Sequence, residues 1–153
     1  MNNRNINAEK DRLNDLFAKI AVIQDISLQV HWAKYLAIQV SGFLETSLRE
    51  LLLVYTTKVA NPNIGNFVGR ELKNRTNLKM EKLAQLLGSF SPDWEKEIRA
   101  TAKFRTYKAA LDETVDVRNK IAHGRYSNIT FTRVKDHYEN ILKLLDLLES
   151  LIS

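Results

Sequence analysis

The chain has 153 residues, 44% of them hydrophobic and 27% charged, the balance of an ordinary globular domain rather than of a disordered or membrane-embedded chain. It contains no cysteine, which excludes disulfides, thiolate catalysis and cysteine-based zinc sites, and its three histidines, at 31, 123 and 137, lack the paired spacing of a metal-binding helix. The net charge of +5 is concentrated in the middle: residues 61–125 carry thirteen Lys/Arg against eight Asp/Glu, whereas residues 1–60 carry seven against six and residues 126–153 three against four, a pattern that suits a polyanionic partner.

Only two prolines, at 62 and 92, and few glycines interrupt the chain, so the expectation is an all-α fold of long helices with brief breaks. A frayed leader, residues 1–7, precedes a first helix over about Ala8–Asp25, with Leu13, Leu16, Phe17, Ile20 and Ile23 at helical spacing. A long second helix, about Leu28–Ala60, carries Trp32, Leu36, Val40, Phe43, Ser47, Leu51 and Val54 in one stripe, widened in its second half by Leu44, Leu48, Leu52 and Tyr55. Such a helix is central or shared between subunits. Glu45 and Arg49, one turn apart and off that stripe, fit a surface ion pair, and His31 beside Trp32 reads as a rim residue. Asn61-Pro62-Asn63 ends the helix.

Three shorter helices follow, about Ile64–Leu72, Leu78–Leu87 and Pro92–Lys103, the last signalled by Ser91 at the cap and Pro92 at the first helical position. Lys103-Phe104-Arg105-Thr106-Tyr107-Lys108 interleaves cations with rings, a pattern that suits stacking on unpaired bases. After a helix over Arg105–Ala122 and a locally extended Asn128–Phe131, the last helix, about Thr132–Ile152, buries Val134, Tyr138, Ile141, Leu145, Leu148 and Ile152. His137, flanking that stripe between acids, reads as a partly exposed surface residue. These helices make one domain over residues 1–153: a bundle of four core helices plus short additional ones. The polar start has no signal-peptide core, and no apolar run reaches the roughly 18 uncharged residues of a membrane span, so a cytoplasmic protein with no membrane contact, no metal and no cofactor is expected.

The helix ending at His123 carries the most capable chemistry. With each residue turned by about 100°, Leu111, Thr114, Val115, Ile121 and Ala122 fall within about 60° of Arg118, which therefore sits in the middle of the apolar face. A guanidinium there must meet a carboxylate, a row of carbonyls or a bound anion. Asp112, Asp116, Asn119 and His123 share a second, polar sector, about 140° from Arg118 in a regular helix. Either the helix unwinds at Gly124 and His123 swings round, or a second copy of the chain completes the site. Gly124 suits the left-handed position that ends a helix, and a histidine in that turn can change charge near neutral pH.

The segment Val117-Arg118-Asn119-Lys120-Ile121-Ala122-His123-Gly124 resembles the R-x4-6-H signature of the HEPN superfamily. Ser41-Gly42-Phe43-Leu44-Glu45-Thr46-Ser47-Leu48-Arg49-Glu50-Leu51-Leu52 and Leu87-Gly88-Ser89-Phe90-Ser91-Pro92-Asp93-Trp94 look like the corresponding segments of its RiboL-PSP-HEPN branch. The resemblance implies a helical bundle that forms a homodimer, a shared cleft holding two copies of the motif, and metal-independent cleavage of RNA in toxin–antitoxin, phage-defence or RNA-repair settings, with an antitoxin or defence-complex protein as a further partner. Arg118 and His123 match the two defining positions, Asn119 the polar residue that often follows the arginine, and Glu45 a supporting acid. Lys120, Arg125, Lys103, Arg105 and Lys108 are candidate RNA contacts. Some HEPN toxins carry a tyrosine two residues after the histidine as a target for nucleotidyl transfer; here Arg125 stands there and Tyr126 one place later, so that route of control is not expected. The alternative is a catalytically inactive HEPN domain that binds RNA or protein. A nuclease site further predicts that Arg118 faces the partner chain rather than its own core, and that Arg118→Ala leaves stability nearly unchanged.

Overall fold

The computed structural model describes residues 3–153, among which the chain forms seven α-helices and no strand. Four are long, α1 (Arg4–Ala21), α2 (Ile26–Val59), α6 (Phe104–Ala122) and α7 (Phe131–Ile152); three are short, α3 (Pro62–Lys73), α4 (Met80–Phe90) and α5 (Pro92–Ala100). The expected bundle of four core helices with short additions is therefore the architecture found. No helix among the described residues is long and apolar enough to cross a membrane.

The chain itself supplies most helix starts. Asp25 accepts from the Leu28 N–H to open α2, Asn61 from the Asn63 N–H ahead of Pro62 in α3, and Thr130 from the Arg133 N–H to open α7. Ser91 stands at the start of α5 but makes no side-chain cap bond there, so Pro92 and the acids of the first turn carry that signal. The expected frayed leader is corrected: α1 begins at Arg4 rather than Ala8, because the Asn3 side chain accepts from the Asn5 and Ile6 N–H groups, Ile6 is buried, and Asn5 donates to Glu50 on α2. Met1 and Asn2 lie outside the described residues.

α2 packs against α1, α3, α6 and α7 and so passes through the middle of the bundle. Leu36, Leu44, Leu48 and Leu52 are fully enclosed, and Leu111 of α6 with Ile141, Leu144 and Leu145 of α7 closes the core around them. Full burial of a leucine stabilises by about 1.5–3 kcal/mol, so this layer holds α2 against α6 and α7. Two residues of the expected stripe depart from it: Trp32 and Val54 are 39% and 37% exposed. They lie at the rim of a face that turns with the helix, where the neighbouring helices no longer cover it.

Candidate functional site

α6 delivers both motif residues, and its end is sharply built. Arg125 N–H donates to Lys120 O at 2.8 Å and Gly124 N–H to Ile121 O at 3.1 Å, the double bond pattern of a Schellman stop, with Gly124 at φ 65°. A side chain in that left-handed conformation is strained, which is why glycine follows His123. The helix stays α-helical through Ala122, and His123 sits at its C-cap with φ −97° and ψ 15°. Unwinding therefore does not bring His123 round toward Arg118.

Arg118 is held by its own chain. Its Nη1 donates to Glu45 Oε1 at 2.8 Å and, more loosely, to Asn77 Oδ1 at 3.3 Å. The Asn77 N–H donates to the same Glu45 oxygen at 2.6 Å. Two expectations are corrected here. Glu45 forms no surface pair with Arg49: it is buried, and only a charged or N–H donor can offset a buried carboxylate. Nor does Arg118 turn away from its own core. The guanidinium keeps one open side, however, since its side chain is 29% exposed and lines a cleft of about 480 Å³ with Arg12, Gln39, Gly42, Thr46 and Glu50.

Asn77 is the residue that sequence reasoning passed over. It adopts φ 55° in the segment between α3 and α4, a conformation that asparagine tolerates better than most side chains. The breaker-rich run Asn74-Arg75-Thr76-Asn77 was its only signal.

His123 differs from Arg118 in every respect. It is exposed, and its ring makes no hydrogen bond or ion pair with any described residue. Asn119, one turn back, is half-buried, and Lys120 and Arg125 are exposed beside it. The other acids of the polar sector are engaged in structure: Asp112 accepts from the Met80 N–H at 2.8 Å and from Lys108 at 2.7 Å, and Asp116 pairs with Lys79 at 2.6 Å. They tie the start of α4 to α6 and supply the cap that α4 lacks locally. The Asp112 bond holds the Lys108 ammonium above the usual lysine range.

The remaining candidates divide by position. Lys103 precedes α6, and Arg105 and Lys108 lie in its first turns, about 27 and 22 Å from His123 along a helix rising about 1.5 Å per residue. Tyr107 is buried and Phe104 packs against the core, so the rings of that segment are core rather than stacking platforms. Only Lys120 and Arg125 stand with His123.

The first half of α2 leaves an apolar side uncovered. Leu28, Trp32 and Tyr35, at i, i+4 and i+7, are exposed on one side of the helix, and Trp32 meets Tyr35 edge to face at 5.6 Å. Tyr126 is 81% exposed, with Lys34 Nζ 5.2 Å from its ring centre, which ties the segment after His123 to this half of α2. The same spacing continues through Gln39, Gly42 and Thr46 into the cleft beside Arg118. Nothing lies within 4 Å of where a Cβ on Gly42 would stand.

His137 is corrected from a surface residue to a buried one, 5% exposed, with Nε2 2.7 Å from Glu113 Oε2. Arg133 donates to both oxygens of Glu113, at 3.1 and 3.0 Å from Nε. Those bonds, then the His137 contact, hold the Glu113 carboxyl below the usual carboxylate range.

Comparison with curated proteins and with solved structures returned no match. The family model of RiboL-PSP-HEPN matches residues 3–153, so that the arginine and histidine on α6, the long central helix and the short helices between them fall within one match, and the chain belongs to the RiboL-PSP-HEPN family of the HEPN superfamily.

Proposed function

We propose that the protein is an endoribonuclease that cuts RNA without a metal, at a site completed by two copies of the chain. The observation that carries this reading is the pairing, on one helix, of a guanidinium fixed at the wall of an open cleft with a bare imidazole at the helix end. Cleavage through the RNA's own 2′-hydroxyl needs a base for that hydroxyl, an acid for the departing 5′-oxygen and donors for the phosphoryl oxygens. His123 from one copy removes the 2′-hydroxyl proton, the 2′-oxygen bonds to phosphorus, and the bond to the 5′-oxygen breaks as the second copy's imidazolium protonates it. The products carry 2′,3′-cyclic phosphate and 5′-hydroxyl ends. Arg118 steadies the charge on the phosphoryl oxygens, with Glu45 and Asn77 as positioning residues. Asn119 is a supporting polar group, and Lys120 and Arg125 meet flanking phosphates.

The line Leu28, Trp32, Tyr35, Gln39, Gly42 and Thr46, half-buried at Gln39 and Gly42 and exposed at the other four, supports the two-copy site. A mid-helix glycine costs about 1 kcal/mol relative to alanine, and no neighbour in its own chain occupies the space above Gly42. A second copy's helix lying along this line would use that space and bring its own α6 end alongside. We infer a cytoplasmic role in toxin–antitoxin, phage-defence or RNA-processing chemistry, with an antitoxin or defence-complex protein as regulator.

The test mixes single-stranded RNA with wild-type protein and with His123→Ala, both in EDTA, and identifies the ends formed. Cyclic phosphate ends from wild type alone support the reading; equal behaviour of the two proteins sinks it. Gly42→Leu, analysed by sedimentation, is expected to leave a folded monomer with little activity. One observation favours the second reading, a catalytically inactive domain that binds RNA or protein: Arg118 is already neutralised within its own chain. Under that reading Arg118→Ala changes RNA binding and no RNA is cut.

A further inference from the structure

One turn along α2 from Glu45, Arg49 lines a cationic groove that the cleavage chemistry does not use. It runs between the second half of α2 and α3 and occupies about 700 Å³, with Arg49, Arg70, Lys73, Asn66 and Asn61 along its walls. None of its lining residues is acidic. Arg49 Nε is enclosed and has no hydrogen-bond partner, because the carboxylate one turn back, Glu45, is committed to Arg118 and Asn77. Arg70 and Lys73 are exposed and likewise make no ion pair with any described residue. Three uncompensated cations around one groove, one of them partly buried, call for an anion.

The α3 wall is unusually bare. Gly65 and Gly69 face the groove one turn apart. A Cβ on Gly69 would press on Leu53 at 3.3 Å, but one on Gly65 would meet nothing within 4 Å and would stand in open space. Glycine there disfavours the helix and leaves the groove wide enough for a chain to lie against the backbone.

We propose that this groove holds the sugar–phosphate backbone of a single-stranded RNA beside the scissile phosphate, an inference that rests on the reading of Arg118 and His123 as an RNA-cleaving site. The groove joins that site through two short links. Arg49 is one turn along α2 from Glu45, and Lys73 ends α3 only four residues before Asn77, a span of at most about 14 Å of chain. The ligand is a polymer because the lining runs the length of α3, from Asn61 to Lys73, and a phosphodiester because forked guanidinium donors and side-chain amides match its oxygens.

The binding test uses full-length protein carrying His123→Ala, so that RNA is held and not cut, and reads the fluorescence anisotropy of a labelled short single-stranded RNA as salt is raised. Adding Arg70→Ala and Lys73→Ala, both at exposed positions, lowers affinity roughly tenfold or more near 0.1 M salt, and the dependence on salt becomes shallower by about 0.7 per cation removed. Arg49→Ala extends the loss, with thermal unfolding checked alongside. With His123 intact, the groove variants cut a dinucleotide at the wild-type rate and a longer RNA more slowly. Unchanged affinity and salt slope overturn the groove, as does a polyglutamate that competes as well as RNA and loses binding in the same variants. If wild type cuts no RNA while the groove variants still weaken RNA binding, the groove stands and only the cleavage reading falls.

Discussion

Two glutamates, Glu113 and Glu45, each hold an arginine, but only the first also holds a histidine. On the α6–α7 side, Glu113 takes both Arg133 and His137, and the histidine is buried. On the α2–α6 side, Glu45 takes Arg118 and the Asn77 backbone, and His123 stands at the helix end with nothing to bond. A closed grouping spends its donors on its own acceptors and can act only on stability. An open one keeps an acid–base group unspent, and on that difference rests the choice of His123 over His137.

The largest expected effect separates the two histidines. His123→Ala should lower RNA cleavage by roughly 10²–10⁴-fold and change unfolding free energy by no more than about 0.5 kcal/mol, as for an unpartnered surface residue. His137→Ala should do the reverse, lowering stability by about 1–3 kcal/mol while activity per folded molecule is unchanged. Parallel kinetics and urea unfolding read both. Cleavage falling equally in the two variants would erase the distinction.

Arg118→Ala belongs between them. Removing a donor aimed at the phosphoryl oxygens should cost about 10²–10³-fold in rate, and the buried Glu45 left with only the Asn77 N–H should cost about 1–3 kcal/mol. The expectation that a nuclease would tolerate this change without loss of stability therefore fails on the Glu45 contact. Rate, not stability, tells an active protein from an inactive one. Arg118→Lys keeps the charge but lacks the fork, and should recover more of the stability than of the rate.

The smaller effects are in pH dependence. Glu113 is held below its ordinary value of 4.5 in the folded chain, chiefly by Arg133. Its contribution is present above that value and lost as pH falls through the lower folded one, because the unfolded chain takes up the proton first. Glu113→Gln should flatten the stability curve on the acid side, measured by denaturant unfolding at successive pH values. Tyr138, outside both groupings, donates to Asn14 and is pushed up to about 12 by burial. Its phenol favours folding below pH 10, and that contribution is lost as pH rises toward 12. Tyr138→Phe should remove this alkaline slope and leave RNA cleavage alone.

Much of the fold could be read from the residues because it follows from local rules. Apolar spacing gives the long helices, Pro62 marks the end of α2, Pro92 marks the start of α5, and Gly124 marks the stop after His123. The same spacing put Arg118 on an apolar face, which told that it needed a partner. Periodicity does not say which of 18 Asp/Glu residues that partner is, and the choice of Glu45 crosses 73 positions of sequence. The burial of His137 has the same origin: the angle on α7 puts it at the edge of the stripe, and only the approach of α6 with Glu113 covers it.

The sequence by itself determined seven helices in order, a cation-rich middle and the arrangement of Arg118 and His123 on separate faces of α6, since these depend on residues within a few turns of one another. Tertiary structure alone decided that Glu45 and Asn77 hold the arginine, that Arg49 is thereby left uncompensated, and that His123 remains free. The physical reason is desolvation. A charge is matched or left open according to which other chain segments exclude water around it, and that is settled only when α2, α6 and the segment after α3 pack together.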